Sequence, residues 1–404
     1  MLRRSPPSPL DVTRRRLHTS AYITIKGNAT MRPLEGLMAI SVEQAIAGPM
    51  CGRLLADAGA RVVKVERPEG DFARAYDRML SGESIYFVWL NRGKESVVCD
   101  LAKPEDRAFF EAMVAKADVL VQNLKPGSLA KLGLGTEALT ARHPRLIACS
   151  ISGYGDTGPY AQRKAYDMLI QAESGLASVT GSAEEPSRVG ISIVDITTGH
   201  LAYEAILEAL VRRGTTGKGA DIRISMFDVM AEYMSVPLMQ GIAGAPQPRI
   251  GLRHTALAPY GVFTTRDGQA VLISIQNERE WRSLCERVLE QPEAARDARF
   301  ASNSDRVAHR EACDELVQGW FSKHDVADAI LRLDDADIAF GRVSDWAALR
   351  DHPHLRLLDV PYAKGSTRVP APAALWDGSM REARGVPRLG ADTDRLRREF
   401  LPEH

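Results

Sequence analysis

The stretch LMAISVEQAIAGPMCGRLLADAGARVVKVE, residues 37–66, decides the fold of this chain. It begins with a short apolar run at 37–40 and continues into a helical stretch that Gly59 closes. Residues 61–66 (RVVKVE) are rich in β-branched side chains and alternate in polarity, which is typical of a strand. A strand, a helix and a strand in this order predict a unit of a parallel sheet.

The same pattern repeats further along the chain. Residues 104–116 form a helical stretch with Pro104 near its first turn, where proline is well tolerated. Three short β-rich segments surround it, at 96–101, 117–121 and 146–150. We therefore predict an α/β fold with an open, Rossmann-like parallel sheet.

A composition change predicts a second, smaller α+β unit over residues 241–342. It opens with the Gly/Pro-rich segment 241–251, a linker signal, and continues with a hairpin around Asp267–Gly268. Helices are expected at about 279–290 and 305–332. The tail from 343 is rich in proline and arginine and has little periodicity.

Charge and cysteine content restrict the partners and the compartment. The 52 Lys and Arg residues balance the 52 Asp and Glu residues, which argues against nucleic acid as the main partner. No run approaches the eighteen or so apolar residues that span a bilayer, so we predict no membrane partner. The five scattered cysteines form neither CxxC pairs nor His/Cys clusters, which predicts a reducing compartment without disulfides or bound metal.

Residues 1–30 differ from the rest, because six Arg and Lys residues face one acid there among prolines, serines and threonines. Two interpretations are open. The segment is either a leader from a start codon upstream of Met31, with a cytoplasmic protein behind it, or a mitochondrial transit peptide. We favour the leader because no amphipathic helix is evident, and we exclude the segment from the fold in either case.

Three nucleotide or hydrolase motifs are absent. Glu66 could serve as the ribose acid of a dinucleotide site, but the preceding turn reads AIAGPMCG instead of GxGxxG. The P-loop pattern GxxxxGK[ST] does not occur. Ser150 and Ser152 lack the preceding glycine of a hydrolase nucleophile elbow.

Two other features carry chemistry. Arg67, Lys94 and Lys131 flank predicted strands of successive units, and such positions converge on one crevice in an open sheet, where a ligand with several phosphates fits. Asp195 stands between a predicted buried strand, 189–194, and a helix that starts at about Thr198. It is either a plain helix cap or a carboxylate placed for covalent catalysis.

Several motifs resemble the family III CoA-transferases, which include formyl-CoA and carnitine CoA-transferases and α-methylacyl-CoA racemase. The similarity covers about residues 33–350 and rests on the segments EQAIAGPMCGRLLADAGARVVKVERPEGDFAR, LNRGKESVVCDL, VQNLKPGSLAKLGLG, SGYGDTGPY with KAYD, and GISIVDITTGHLAYEAILEAL. The resemblance implies that Asp195 is the nucleophile. It implies CoA contacts from Ile46, Ala47, Arg67, Lys94, Asn123, Leu124, Lys131, Lys164 and Tyr166.

The resemblance also implies an interlocked homodimer. Its large CoA-binding domain would contain residues 31–240 and 343–404, and its small domain, with the linker, residues 241–342.

Two departures from relatives bear on the substrate. Tyr166 stands where the racemase has a catalytic histidine, which argues against racemisation. GLRHTALAPYG replaces the glycine-rich loop of formyl-CoA transferase, which argues against a formyl and oxalate substrate pair.

Arg253 and His254 within that loop are candidate ligands for a substrate carboxylate. The run APYGVF with ISIQNEREW resembles transferases for itaconate, mesaconate and citramalate. We therefore expect CoA transfer from an acyl-CoA such as succinyl-CoA to a C4–C5 dicarboxylate, through an aspartyl anhydride and an aspartyl-CoA thioester. Coenzyme A is then part of the substrate, and no metal or redox cofactor is expected. The alternatives are intramolecular transfer in mesaconyl-CoA, 2-methylacyl-CoA racemisation and non-catalytic CoA binding.

Overall fold

A computed structural model describes residues 32–401, so the predicted leader at 1–30 and the start at Met31 lie outside the described residues. The central element is a six-stranded sheet made of β1 (Met38–Val42), β2 (Arg61–Glu66), β3 (Lys94–Val98), β4 (Val119–Gln122), β5 (Ile147–Ser152) and β6 (Ala220–Ser225). The strand order is β3-β2-β1-β4-β5-β6, and β1 pairs in parallel with both β2 and β4. This confirms the predicted α/β class with an open parallel sheet.

The helices and the remaining strands follow in chain order. The helices are α1 (Ala47–Asp57), α2 (Ile85–Asn91), α3 (Pro104–Val114), α4 (Thr136–Arg142), α5 (Asp167–Glu173), α6 (Leu176–Val179), α7 (Ile193–Thr216), α8 (Met226–Tyr233), α9 (Ser235–Ile242), α10 (Glu278–Ser283), α11 (Asn303–Ala308), α12 (Arg310–Phe321), α13 (Val326–Asp335), α14 (Trp346–Arg350) and α15 (Thr393–Phe400). The remaining strands are β7 (Tyr260–Thr264), β8 (Ala270–Ser274), β9 (Ala339–Arg342), β10 (Leu357–Tyr362) and β11 (Gly365–Pro370).

Chain contacts divide the protein into two compact units. Among the described residues, the first contains 32–151, Gly199–Arg223 and 348–401. The second contains Ser152–Thr198 and Ile224–Ala347. Our predicted small domain, 241–342, is narrower than this second unit, because sequence patterning did not reveal that α5 packs against α8.

The first unit is built around the parallel sheet. One face of its central strands is apolar and lies against α3, whereas the other face carries buried polar side chains such as Ser41 and Lys64. Ile40, Val63 and Leu120 on three strands join Phe109 and Phe110 of α3 in one fully buried cluster. The tail that showed little periodicity forms the antiparallel hairpin β10–β11 and the helix α15, and α15 packs against α3.

The second unit has its own core around the antiparallel sheet β7-β8-β9. The predicted hairpin is present, and Gly268 adopts the positive φ of +75° that its turn requires. Trp281, Phe263 and Phe321 are buried in this core. The predicted helix at 305–332 is in fact three helices, α11, α12 and α13. The predicted helix at 279–290 consists of α10 and a π-helical turn, Leu284–Val288.

The predicted buried strand at 189–194 is wrong. The side chain of Ile191 is 55% exposed, and α7 already begins at Ile193. The backbone N–H of Val189 donates to Gln171 Oε1 at 2.8 Å, and that of Val194 donates to Asp167 Oδ2 at 2.8 Å. Side chains of α5 therefore bind this segment, and no sheet neighbour does so within residues 32–401.

Candidate functional site

A cavity of about 490 Å³ opens at the carboxyl ends of β1, β2, β3 and β4 in the first unit. The strand order reverses between β1 and β4, and open α/β sheets bind ligands at such a switch point. Arg67 and Leu124, both predicted CoA contacts, line the cavity. The structure thus brings two of the predicted residues together in the place that the topology favours.

Two cations on the cavity wall are free to meet a phosphate. Arg67 and Lys125 both line the cavity and are exposed, and their side chains have no hydrogen-bond or ion-pair partner within the described chain. Lys125 was missed by the sequence analysis, although its position just beyond the end of β4 is the same signal that singled out Arg67 after β2. Lys131 is exposed in a short 3₁₀ turn, next to the wall residue Leu132.

Lys94, unlike Arg67 and Lys125, is enclosed within the protein. The prediction that its side chain contacts CoA directly is therefore corrected. Its side chain is completely buried and forms an ion pair with Glu43. Its ammonium also donates to Pro49 O and Asn91 Oδ1, both at 3.0 Å, so its three N–H groups all have partners. Burial lowers the pKa of Lys94 to about 8 despite the Glu43 carboxylate.

The turn after β1 explains the positions of Asn123, Ile46 and Ala47. The Asn123 side chain accepts from Gln44 N and donates to Gln44 O, both at 2.8 Å. Ile46 and Ala47 begin α1, and their side chains are buried. These two residues can therefore offer a ligand only their backbone, at a helix N-terminus where anions are favoured.

Two glycines let α1 lie close over this turn. A Cβ added to Gly48 would lie 2.9 Å from Glu43 Cβ, and one added to Gly52 would lie 2.6 Å from Glu43 Oε2. A larger residue at either position would force the helix or the Glu43 side chain to move. The AGPMCG segment is thus a packing motif between a helix and a buried acid.

Asp195 is the third residue of α7, in the second unit. The helix cap is not Asp195 but Asp167, whose Oδ2 accepts the N–H groups of Val194 at 2.8 Å and Asp195 at 3.2 Å. The carboxylate of Asp195 is half-buried, and no donor within residues 32–401 hydrogen-bonds to it. Burial, and secondly repulsion from Asp167, raise the pKa of Asp195 to about 7. A desolvated carboxylate without donors has the character of a nucleophile.

Lys164 and Tyr166 lie just before α5 in the same unit. Tyr166 is the residue that precedes the first turn of α5, and its side chain is 58% exposed. Lys164 is exposed as well. The next residue, Asp167, contacts the backbone of Asp195, so the chain links Tyr166 directly to the helix start that carries the candidate nucleophile.

Arg253 and His254 lie on a loop that Arg310 holds in place. The Arg310 guanidinium donates to His254 O at 2.8 Å and to Leu257 O at 3.0 Å. The Arg253 side chain is half exposed, and its Nε lies 3.7 Å from Asp314 Oδ2. His254 Nδ1 accepts from Ala256 N at 3.1 Å, which leaves Nε2 to carry the proton of the neutral ring.

One cysteine, Cys99, belongs to the cavity wall. All five cysteines are buried and free, and burial raises the pKa of Cys149 to about 12. Within residues 32–401 no three His, Cys, Asp or Glu side chains gather in a way that could hold a metal ion. The described helices include none with the length and apolar character needed to cross a membrane.

Comparison with known proteins defines the class of protein. The model of CoA-transferase family III matches residues 34–393. The chain therefore belongs to the family III CoA-transferases, which confirms the resemblance in its motifs. It is an enzyme of this class.

Individual relatives carry different substrate names. The chain is 37% identical to the acetyl-CoA:oxalate CoA-transferase of Acetobacter aceti, over 91% of this chain and 96% of that protein. It is 34% identical to the succinate–glutarate CoA-transferase of Agrobacterium fabrum, over 89% of this chain and 93% of that protein. It is also 34% identical to the succinyl-CoA:mesaconate CoA-transferase of Haloarcula hispanica, over 80% and 84%.

A solved structure has the same fold. The CAIB/BAIF family protein from Brucella suis superposes with a TM-score of 0.78 at 33% identity. The match covers 92% of this chain and all of that chain. The architecture described above is therefore that of an experimentally determined family member.

Proposed function

We propose that this enzyme transfers CoA between carboxylic acids by covalent catalysis at Asp195. The observation that carries the proposal is the state of this carboxylate. Asp195 stands in the first turn of α7, where a carboxylate commonly accepts hydrogen bonds from free backbone N–H groups. Here the N–H groups of Val194 and Asp195 donate to Asp167 instead. A pKa of about 7 leaves a large ionised fraction at neutral pH while keeping the oxygen basic enough to attack a thioester.

The reaction then proceeds by exchange of acyl–oxygen and acyl–sulfur bonds. An Asp195 oxygen attacks the donor thioester carbonyl, and the C–S bond breaks to give a mixed anhydride and CoA thiolate. The thiolate attacks the aspartyl carbonyl, which releases the donor acid as carboxylate and leaves an aspartyl-CoA thioester. The acceptor carboxylate attacks this thioester, and the released thiolate then attacks the acceptor carbonyl. Asp195 returns as carboxylate, and no electron or net proton is gained or lost.

Replacement of Asp195 tests this role, and the chain offers a matched control. Asp228 is likewise the third residue of a helix, α8, and is exposed. Asp195→Ala should abolish transfer while CoA affinity is retained, whereas Asp228→Asn should transfer at the normal rate. Borohydride or hydroxylamine added with acyl-CoA should modify Asp195 in the normal enzyme. Turnover within tenfold of normal in Asp195→Ala would contradict the proposal and favour CoA binding without this nucleophile.

We propose a dicarboxylate as the acceptor. Oxalate, glutarate and mesaconate, the acids in the names of the three relatives, all have two carboxylates. One carboxylate reacts, and the second needs a cation so that its charge is not buried unpaired. The half-exposed Arg253 supports this class, because a guanidinium binds a carboxylate in two parallel hydrogen bonds. Our preference within the class is itaconate, mesaconate or citramalate, with succinyl-CoA as donor.

A panel of acceptors tests the substrate class. Glutarate should react far faster than valerate, which has the same chain length and one carboxylate fewer. Oxalate belongs in the panel because two observations disagree about it as a substrate. The loop sequence argues against oxalate, whereas a relative at 37% identity is named an oxalate CoA-transferase. Mesaconyl-CoA alone, without an acceptor, tests intramolecular transfer. A 2-methylacyl-CoA in deuterated water tests racemisation, which Tyr166 disfavours, since rapid exchange of the α-proton would indicate a racemase.

We also propose that the enzyme works as a homodimer. The helices α8 and α9 expose large apolar side chains, among them Tyr233 (67% exposed), Met239 (67%) and Ile242 (79%). Exposed apolar groups on neighbouring helices are typical of an interface between protein chains. Light scattering on the purified enzyme should give twice the mass of the chain, and Met239→Glu with Ile242→Glu should reduce it to one chain.

A further inference from the structure

We propose that Asp167 is a positioning residue that keeps Asp195 reactive by taking up the backbone amides at the start of α7. This inference rests on the proposed role of Asp195 and assigns a function to a neighbouring acid that the sequence analysis passed over. Asp167 is the first residue of α5, its side chain is buried, and it lies 28 positions before Asp195 in the chain.

The first N–H groups of a helix have no partner within the helix and must find one elsewhere. In α7 these groups are all engaged away from the Asp195 side chain. The N–H of Ile193 donates to Ile191 O at 2.8 Å. The N–H groups of Val194 and Asp195 both donate to Asp167 Oδ2.

Gln171, one turn further along α5, fixes the orientation of Asp167. Its Nε2 donates to Asp167 Oδ1 at 2.6 Å, and its Oε1 accepts from Val189 N at 2.8 Å. Gln171 is itself fully buried. The Asp167 carboxylate thus accepts hydrogen bonds on both oxygens and cannot rotate without breaking one of them.

The consequence is chemical as well as structural. A carboxylate that accepts helix amides is stabilised as an anion, which lowers its basicity and its power as a nucleophile. If Asp167 did not hold them, the amides at the start of α7 would be available to the Asp195 carboxylate. Asp167 also places a negative charge beside Asp195, and it is the charged group within residues 32–401 whose repulsion acts on Asp195. Both effects leave the Asp195 anion less stabilised and therefore make it a stronger nucleophile.

Replacement of Asp167 by Asn tests the inference, because Asn keeps the shape and one acceptor oxygen but removes the charge. We expect kcat to fall at least tenfold with the KM for acyl-CoA unchanged. Since Asp195 reacts when ionised, kcat rises with pH through its pKa, and loss of the charge should move this rise to lower pH. Glu173→Gln, a charge removal at the exposed end of the same helix, should change neither quantity.

Gln171→Leu provides a second variant that leaves both acids in place. It removes the hydrogen bond that holds Asp167, so we expect a smaller loss of kcat with the pH profile displaced in the same direction. The rate at which aspartyl-CoA forms per folded enzyme, measured by quenched flow and mass spectrometry, gives the readout even where some protein unfolds. An unchanged rate and pH profile in Asp167→Asn, with Asp195→Ala inactive, would overturn the inference alone. Full activity of Asp195→Ala would overturn the proposed function itself.

Discussion

Glu43 and Lys94 form an ion pair in which neither side chain is exposed to solvent. The pair lies beneath α1, next to a second buried pair between Lys64 and Asp71, whose Nζ and Oδ2 atoms are 2.9 Å apart. Two cations and two acids thus balance one another in the first unit, and Glu43 also forms part of the cavity wall. Charges buried in this way support the shape of the binding region, and they remain tolerable only while each keeps its partner.

The main effect of Lys94→Met should therefore be a loss of folding stability and not a loss of CoA affinity. Breaking a buried pair by removing one partner costs about 3–5 kcal/mol, because the remaining charge is left uncompensated. We expect a loss of this order in the free energy of unfolding, measured by urea denaturation. The double variant with Glu43→Gln should recover part of it. A variant with normal stability but weak CoA binding would instead indicate a direct phosphate contact.

Arg67→Gln and Lys125→Gln should weaken CoA binding by about tenfold each, since each removes a charge-assisted contact of roughly 1–2 kcal/mol. Isothermal titration with CoA at two salt concentrations measures the effect, which should be smaller at high salt because exposed charges are screened. Lys218→Gln is the control, because Lys218 is exposed in the turn that precedes β6, at the opposite edge of the sheet. Equal losses in all three variants would indicate a general charge effect and not a site.

Arg253→Met should raise the KM for glutarate about tenfold or more and leave that for valerate nearly unchanged. The reason is loss of the cation that pairs with the second carboxylate. Asp314→Asn is the informative companion, because it frees Arg253 from its neighbour at 3.7 Å and should lower the KM for glutarate. If both acceptors were affected equally, or only the melting temperature fell, Arg253 would be a structural partner of Asp314.

Asp195→Asn should stabilise the folded enzyme at pH 8 and leave its stability at pH 4 nearly unchanged. The pKa of Asp195 is about 7 in the fold against an ordinary value of 3.8, so the folded state binds more protons between these values. Stability contributed by this group is therefore lost as pH rises from 4 to 7. Solvent screening reduces the gain on replacement to about 1 kcal/mol. Thermal unfolding of both proteins across this pH range measures it, and an equal shift at every pH would contradict the assignment.

The amino-acid order determined the local elements of the first unit. The segment RVVKVE predicted a strand at 61–66, and β2 occupies those residues because β-branched side chains pack well on a covered sheet. Pro104 marked the start of α3 in the same way. The cation after β2, Arg67, was found because parallel strands place their carboxyl ends on one edge.

Tertiary structure alone decided which charges are free and which are enclosed. Lys94 and Lys125 look alike along the chain, yet one is sealed against Glu43 and the other faces the cavity. Residues 189–194 look like a strand because they are apolar and β-branched. Their backbone N–H groups, however, donate to the side chains of Asp167 and Gln171 and not to a neighbouring strand. Such contacts join residues about 20 to 50 positions apart, where local spacing carries no information about distance.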